Sequence, residues 1–102
     1  MKDVNKVILI GRLGADPVKH TTSSGTAVIH FSLATARRIR QDGAAEPVEE
    51  TQWHRIVVWA KLGEICAQFL KKGNSCYVEG SLRSHSYQDK SGAARTAFEV
   101  IA

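Results

Sequence analysis

The sequence has few of the residues that build disulfide, zinc and membrane proteins. Only two cysteines occur in the 102 residues, Cys66 and Cys76, and they form no CxxC pair. Without four spaced ligands there is no zinc site, and both thiols lie among apolar neighbours, as buried free cysteines of a reducing compartment do. The apolar run VILI at 7–10 is far too short for a membrane span or a signal peptide. We therefore expect a cytoplasmic protein without a membrane partner.

Motifs that carry catalysis are also missing. GRLG at 11–14 lacks the glycine spacing of a dinucleotide-binding or phosphate-binding loop. His20, His30 and His85 are scattered, and no serine or cysteine is paired with a base. The acidic residues at 46, 49 and 50 fall in a polar segment that reads as a solvated loop. These absences predict no enzyme activity, no metal and no cofactor.

The composition is that of one small globular domain over residues 1–102 with a moderate basic excess. The hydrophobic fraction is 43%, the charged fraction 24%, the net charge +4 and the pI about 9.3. A core of ordinary size is possible at this length. The basic excess suits a polyanionic partner without requiring one.

Period-two alternation and turn residues predict a mostly β chain. Strands are predicted at 5–11, 18–22, 26–38, 51–59, 74–87 and 95–101, with a long hairpin loop at 39–50. Apolar residues at helical spacing predict one helix at 61–73, ended by Lys71, Lys72 and Gly73. One helix between the third and fourth main strands is typical of the five-stranded Greek-key barrel called the OB-fold. The all-β OB-fold is the predicted fold class.

The first strand is apolar on both faces, although a barrel strand normally shows one face to water. A second copy of the chain could cover the outer face of VILI. The helix or a chain terminus could cover it equally well, so both arrangements stay open at this point.

The strongest functional pattern lies in the stretch TQWHRIVVWAKLGE at 51–64. Side chains alternate along a strand, so one face holds Trp53, Arg55, Val57 and Trp59, and the other holds His54, Ile56 and Val58. A cation between two large rings suits a surface on which unpaired bases stack and phosphates are neutralised. Tyr87 extends the set, because it shares a strand face with Arg83 and His85.

Two other interpretations of these rings remain. Both tryptophans could be core residues, but Arg55 would then be buried between them at a high desolvation cost. They could instead bury against a protein partner through an arginine–tryptophan contact. Such a protein-interaction module would respond little to single-stranded nucleic acid or to salt.

Several long stretches resemble the bacterial single-stranded DNA-binding protein family across essentially the whole chain. These are VNKVILIGRLGADP, FSLAT, TQWHRIVVWAKLGEICAQFLKKGNSCYVEGSLR and YQDKSG. The resemblance implies an OB-fold, commonly a homotetramer, that binds single-stranded DNA in replication, recombination and repair without catalysis. A close alternative is the related primosomal replication protein, a dimeric OB-fold that serves as an assembly scaffold. The WHR match and the helix argue against it. A nuclease on the same fold would need a carboxylate cluster that the ring-bearing face lacks.

The resemblance also implies roles for particular residues. The family's stacking aromatics match Trp53, Trp59 and Tyr87, and regions used in subunit contacts match Val7, His54 and Tyr77. Basic positions expected along the DNA path match Lys6, Arg55, Lys61, Lys71, Lys72 and Arg83. The residues themselves add three arginines that lead into the long loop, which are Arg37, Arg38 and Arg40.

The sequence departs from the family at two places. Ile39 stands where a further stacking aromatic is usual, which predicts weaker binding or compensation by the neighbouring arginines. Family members usually continue into an acidic tail that recruits replication proteins, whereas this sequence stops at Ala102. Recruitment through such a tail is therefore not expected for this chain.

The resemblance also implies association with the nucleoid.

Overall fold

The computed structural model describes residues 2–40, 42–43 and 46–102, in which it shows six strands and one helix. In chain order these are β1 Val7–Leu13, β2 Val18–Thr21, β3 Ala27–Ile39, β4 Val48–Trp59, α1 Ala60–Phe69, β5 Ser75–Gln88 and β6 Ala94–Ile101. The predicted order of strands and helix is confirmed.

The strands form one sheet that closes into a barrel. Their order is β1-β5-β6-β4-β3-β2, and β1 also pairs with β3, so five strands close the barrel while β2 stays at an edge. All pairs are antiparallel except β4 with β6. Helix α1 lies between β4 and β5, which are the third and fourth barrel strands. This architecture confirms the predicted OB-fold.

The core is built from the inward residues of the alternating strands. Ile29 and Leu33 of β3 and Ile56 and Val58 of β4 are almost completely buried. Leu33, Ile56 and Val58 form one core cluster with Leu13, Phe31, Val78 and Val100. Branched apolar side chains at every second position favour strands, because they pack well on a pleated surface. The period-two pattern therefore marks the core face, with one exception: Val57 is buried although it lies on the other face of β4.

Two glycines allow elements to approach closely. A Cβ atom at Gly11 would collide with the backbone oxygen of Ala34, where β1 crosses β3 to close the barrel. A Cβ atom at Gly63 would lie 2.7 Å from the backbone oxygen of Val58, where α1 packs on the sheet. Closure of the barrel and docking of the helix thus depend on missing side chains.

The predicted loop at 39–50 is too long. β3 continues to Ile39 and β4 begins at Val48, so the acidic residues at 49 and 50 belong to a strand; positions 41, 44 and 45 of the predicted loop lie outside the described residues. The strands are extended by opposite charges that face each other. Arg37 reaches Glu50 at 3.5 Å, and Arg38 stands opposite Glu49. Such cross-strand pairs offset the low strand propensity of polar residues.

The predicted helix end at 73 is also wrong. Leu70 is already extended, and its N–H donates to the oxygen of Cys66 at 2.9 Å. Lys71 and Lys72 lie in the turn that follows, where the Asn74 side chain accepts a hydrogen bond from the Lys71 N–H at 2.9 Å. This local bond competes with continuation of the helix. The two lysines therefore stand beyond the helix end.

The apolar residues of α1 and Leu70, which follows it, do not all face the core. Cys66 and Leu70 pack against it, whereas three others are exposed: Leu62, Ile65 and Phe69. In the described part of the chain, no helix is long and apolar enough to cross a membrane.

Ala60 begins α1 with a φ of 57°, in the left-handed region that non-glycine residues rarely adopt. The Cβ atom of alanine makes this conformation cost about 1 to 2 kcal/mol, and glycine avoids that cost. Glycine is also more flexible in the unfolded chain, which offsets part of the gain in stability. We expect Ala60→Gly to raise the free energy of unfolding by up to about 1 kcal/mol, measured by urea denaturation. Ala67→Gly, inside the helix, should instead lower it by about 1 kcal/mol. Equal losses in both variants would contradict strain at Ala60.

Candidate functional site

The three predicted stacking residues lie on one outer face of the barrel. In the register, Trp53 stands opposite Ala34, Arg55 opposite Ser32 and Trp59 opposite Val28. The pairs Val57 with Ile101, Arg83 with Glu99 and Tyr87 with Arg95 carry the same face across β6 to β5. We call this surface the aromatic face; its defining residues are Trp53, Arg55, Trp59, Arg83, His85, Tyr87 and Glu99.

The rings of the aromatic face are accessible. Trp53 is 61% exposed, Trp59 41% and Tyr87 48%. An OB-fold buries large aromatics when they belong to its core, as Phe31 is buried here. The interpretation of the two tryptophans as core residues is therefore wrong. Their flat surfaces are free to contact a planar ligand.

Gly14 supports Trp53 from the β1–β2 connection. A Cβ atom at Gly14 would lie 2.5 Å from Cζ3 of the Trp53 ring, so the ring rests directly on the glycine. The Gly14 N–H donates to the oxygen of Ser32 at 3.0 Å, which ties this support to β3. The indole is thus held by contacts from outside its own strand, which preorganises it for stacking.

The turn after α1, which carries Lys71 and Lys72, lies beside the β1–β2 connection that contains Gly14. The N–H of Gly73 donates to the oxygen of Leu13 at 2.8 Å, and the N–H of Lys72 donates to the Asp16 carboxylate at 2.8 Å. Lys71 and Lys72 are both exposed. Two cations thus stand near the end of the aromatic face that carries Trp53.

Glu99 is the central residue that the sequence interpretation missed. Its side chain is only 5% exposed, yet it is acidic and sits among three basic residues. Nη2 of Arg83 donates to its Oε1 at 2.6 Å, Nε of Arg55 lies 3.4 Å from its Oε2, and Nδ1 of His85 lies 3.7 Å from its Oε1. Both arginine side chains remain 51% exposed. The carboxylate anchors one side of each guanidinium and leaves the rest open to solvent.

The surroundings of Glu99 keep it ionised. Burial opposes the charge, but the hydrogen bond from Arg83 and the charges of Arg83, His85 and Arg55 outweigh it and lower the pKa of Glu99 below its usual value. One negative charge therefore stands against two permanent positive charges. The cluster keeps a net positive charge at neutral pH.

A turn at the end of the β5–β6 hairpin is also ordered around a carboxylate. Asp89 accepts hydrogen bonds from the N–H groups of Ser91 and Ala93 and from the Ser91 hydroxyl, and it pairs with Arg95 at 2.9 Å. The bonds to Ser91 and Arg95 contribute most to lowering the pKa of Asp89 to about 2. Because Arg95 stands opposite Tyr87, this turn steadies the outer end of the aromatic face.

His20 and His30 are brought together, although the sequence shows no relation between them. Their rings stack with centroids 4.8 Å apart and an interplanar angle of 15°. Burial, then the charge of Arg55 and then His20, lower the pKa of His30, so this ring is neutral at pH 7. Only the pairing of β2 with β3 could have revealed the contact, since it places His20 opposite Val28, two residues from His30.

The remaining predicted basic residues do not form one group. Lys6, just before β1, pairs with Glu79 of β5 at 2.5 Å. Arg37 is paired with Glu50, which reduces its capacity to compensate for Ile39. The last three are exposed or lie at element ends, namely Arg38, Arg40 and Lys61.

The three residues predicted for subunit contacts occupy different surroundings. Val7 is half-buried against the core, and His54 bonds to the Thr35 hydroxyl at 2.8 Å. Tyr77 is 57% exposed and stands opposite Ile10, which is 71% exposed. Of the three, only Tyr77 belongs to the uncovered outer face of β1 and β5.

A shallow depression of about 110 Å³ opens where β4 and β6 diverge. It is lined by Trp53, His54, Arg55, Leu82, Phe98, Glu99 and Val100. Among the described residues, no three histidine, cysteine, aspartate or glutamate side chains come together as metal ligands would. The arrangement offers rings and cations for binding a flat, anionic ligand.

Barrel and outer face together define an OB-fold that presents exposed rings and cations on one side. Residues 4–102 match the Single-strand binding protein family, and the chain belongs to that family. It is 46% identical over 101 residues to single-stranded DNA-binding protein 1 of Chlorobaculum tepidum, covering 98% of this chain and 62% of the relative. It is 48% identical over 99 residues to the single-stranded DNA-binding protein of Neisseria meningitidis serogroup A, covering 97% of this chain and 56% of the relative.

A solved structure described as the Plasmodium falciparum SSB complex with ssDNA is also similar. Its TM-score is 0.88 at 34% identity, covering 99% of this chain and 88% of that chain. The chain thus spans about 56 to 62% of the length of the curated relatives.

Proposed function

We propose that this chain is a single DNA-binding unit that binds single-stranded DNA without sequence preference and without catalysis. The observation that carries the proposal is the aromatic face, where three exposed rings alternate with two anchored guanidinium groups. The names of the relatives and the single-stranded DNA in the similar complex support the same ligand. Protection of single strands in replication, recombination and repair is the corresponding cellular role.

The binding mechanism follows from the chemistry of the aromatic face. Every base has a flat surface, so stacking on Trp53, Trp59 and Tyr87 tolerates any sequence and is worth about 1 to 3 kcal/mol per base. Arg55 and Arg83 present their exposed edges to phosphates, and Lys71 and Lys72 add charge near Trp53. Neutralised phosphates release bound counterions, so affinity should fall as salt rises.

Intrinsic tryptophan fluorescence during titration with oligo(dT) tests the proposal. Strong quenching by the single strand, weakened by salt, is expected because both tryptophans belong to the aromatic face. Duplex DNA of equal length should quench little, since its bases are already stacked. Unchanged fluorescence at saturating oligo(dT) would sink the stacking mechanism and favour a protein partner at this face.

We propose further that the chain forms a homo-oligomer, as a tetramer, through the outer face of β1 and β5. Ile8, Ile10 and Tyr77 are 56%, 71% and 57% exposed and lie close together in the register. Contiguous exposed apolar side chains of this kind mark contact surfaces. A second copy of the same face would cover them symmetrically.

Ile10→Glu should shift the protein to a smaller assembly, because it places a charge in that apolar surface. Sedimentation equilibrium measures the change in mass directly. Leu62→Glu, on the exposed side of α1, serves as the matched control and should leave the mass unchanged. If Ile10→Glu keeps the wild-type mass, the β1 face is not the contact.

A further inference from the structure

We infer that the stacked His20–His30 pair is an additional nucleotide-binding subsite, one that continues the aromatic face beyond Trp59 to the edge strand β2. The inference rests on the proposed function. It assigns a base to a surface that consists of histidines rather than of the larger aromatic residues.

The position of the pair supports this assignment. His20, Val28 and Trp59 stand opposite one another on three adjacent strands, with Val28 in the middle. Neighbouring strands are about 4.8 Å apart, so His20 and Trp59 are separated by about 10 Å on the same side of the sheet. His30 stands opposite Val57 on that side, next to the row that holds Arg55. A strand of DNA that leaves Trp59 toward β2 would cross this pair.

The surfaces of the two rings suit a base. The rings are nearly parallel, at 15°, so they present one flat aromatic block rather than two separate edges. His30 is half-buried and supports the stack, while His20 is exposed on an edge strand whose four residues are all exposed. The base would stack on the accessible side of the His20 ring.

The charges around the pair favour nucleic acid. Arg55 faces it from β4 and Glu99 from β6, while His20 itself faces His30 from β2. Glu99 is already engaged by Arg83 and Arg55. Lys19, the neighbour of His20, points to the other face of β2 and reaches Glu64 at 3.8 Å. The pair therefore offers a flat ring for stacking and has a guanidinium nearby for a phosphate.

The test is a fluorescence titration of the full chain with oligo(dT) of about 4 to about 16 nucleotides, at about pH 8 where histidines are neutral. His20→Ala should equal the wild type on the shortest oligonucleotides and bind the longer ones about fivefold to tenfold more weakly. His20→Phe keeps a flat ring and should restore binding. Thr21→Ala, on the opposite face of β2, should have no effect. Thermal unfolding confirms that each variant is folded.

The outcomes separate this inference from the proposed function. If the wild type binds oligo(dT) but His20→Ala matches it at every length, the subsite does not exist. If His20→Phe binds as weakly as His20→Ala, a flat ring at this position does not make the contact and the inference is overturned. Absence of binding by the wild type itself would refute the proposed function.

Discussion

Trp53→Ala should weaken binding of single-stranded DNA by about fivefold to about 150-fold, which corresponds to the loss of about 1 to 3 kcal/mol of stacking. Trp53 is the most exposed ring of the aromatic face and is held in place by Gly14. Its loss removes a preorganised surface, so no neighbouring side chain can replace it without being ordered first. Fluorescence anisotropy of a labelled oligo(dT) measures the change without depending on the tryptophan that was removed.

Trp59→Ala should have an effect in the same range, and the two losses should add. Six residues of strand separate the rings, about 20 Å, which is too far for them to share a base. Phe69→Ala is the matched control, because Phe69 is 67% exposed but lies on α1, away from the aromatic face. Wild-type affinity in Trp53→Ala, or an equal loss in Phe69→Ala, would show that the aromatic face is not where bases stack.

Glu99→Gln should lower the free energy of unfolding by about 2 kcal/mol at pH 7. The buried carboxylate accepts hydrogen bonds from Arg83 and pairs with Arg55, and an amide cannot neutralise either charge. Removing one member of a buried ion pair commonly costs about 3 to 5 kcal/mol; the value here is smaller because both arginines are half-exposed and regain water. Urea denaturation checks the loss.

The pH dependence of this loss follows from the lowered pKa of Glu99. A carboxylate whose pKa is lower in the folded protein contributes stability that is fully present above its unfolded pKa. The contribution declines as the pH falls through the folded pKa. The difference between wild type and Glu99→Gln should therefore be constant near neutrality and shrink below about pH 4.5.

Glu79→Gln supplies the control for Glu99. Glu79 also pairs with a cation, Lys6, but both side chains are about half-exposed. Exposed ion pairs contribute little to stability, so this variant should resemble the wild type. A pH-independent loss in Glu99→Gln, or an equal loss in Glu79→Gln, would contradict the role assigned to the buried carboxylate.

Local patterns were sufficient to predict the elements that depend on neighbours in the chain. The alternation of β4 correctly separates Trp53 and Trp59 from Ile56 and Val58, because the side-chain period of a strand is a property of the backbone alone. The ends of elements were less accurate. Strands β3 and β4 extend further than predicted, and the loop between them is shorter, because opposite charges pair across the two strands. Helix α1 is shorter than predicted because the Asn74 side chain accepts the hydrogen bond of the Lys71 N–H.

The sequence by itself determined the order of the strands, the single helix, the core face of β3 and the shared face of the tryptophans on β4. Only the tertiary structure decided which distant residues complete that face. Glu99 reaches Arg55 and Arg83, His20 meets His30, and Gly14 supports Trp53 because strands far apart in sequence pair in one register. The alternation of side chains predicts on which side of a strand a residue lies. Its neighbours on other strands depend on the register of the closed barrel, which is set by packing of the whole core.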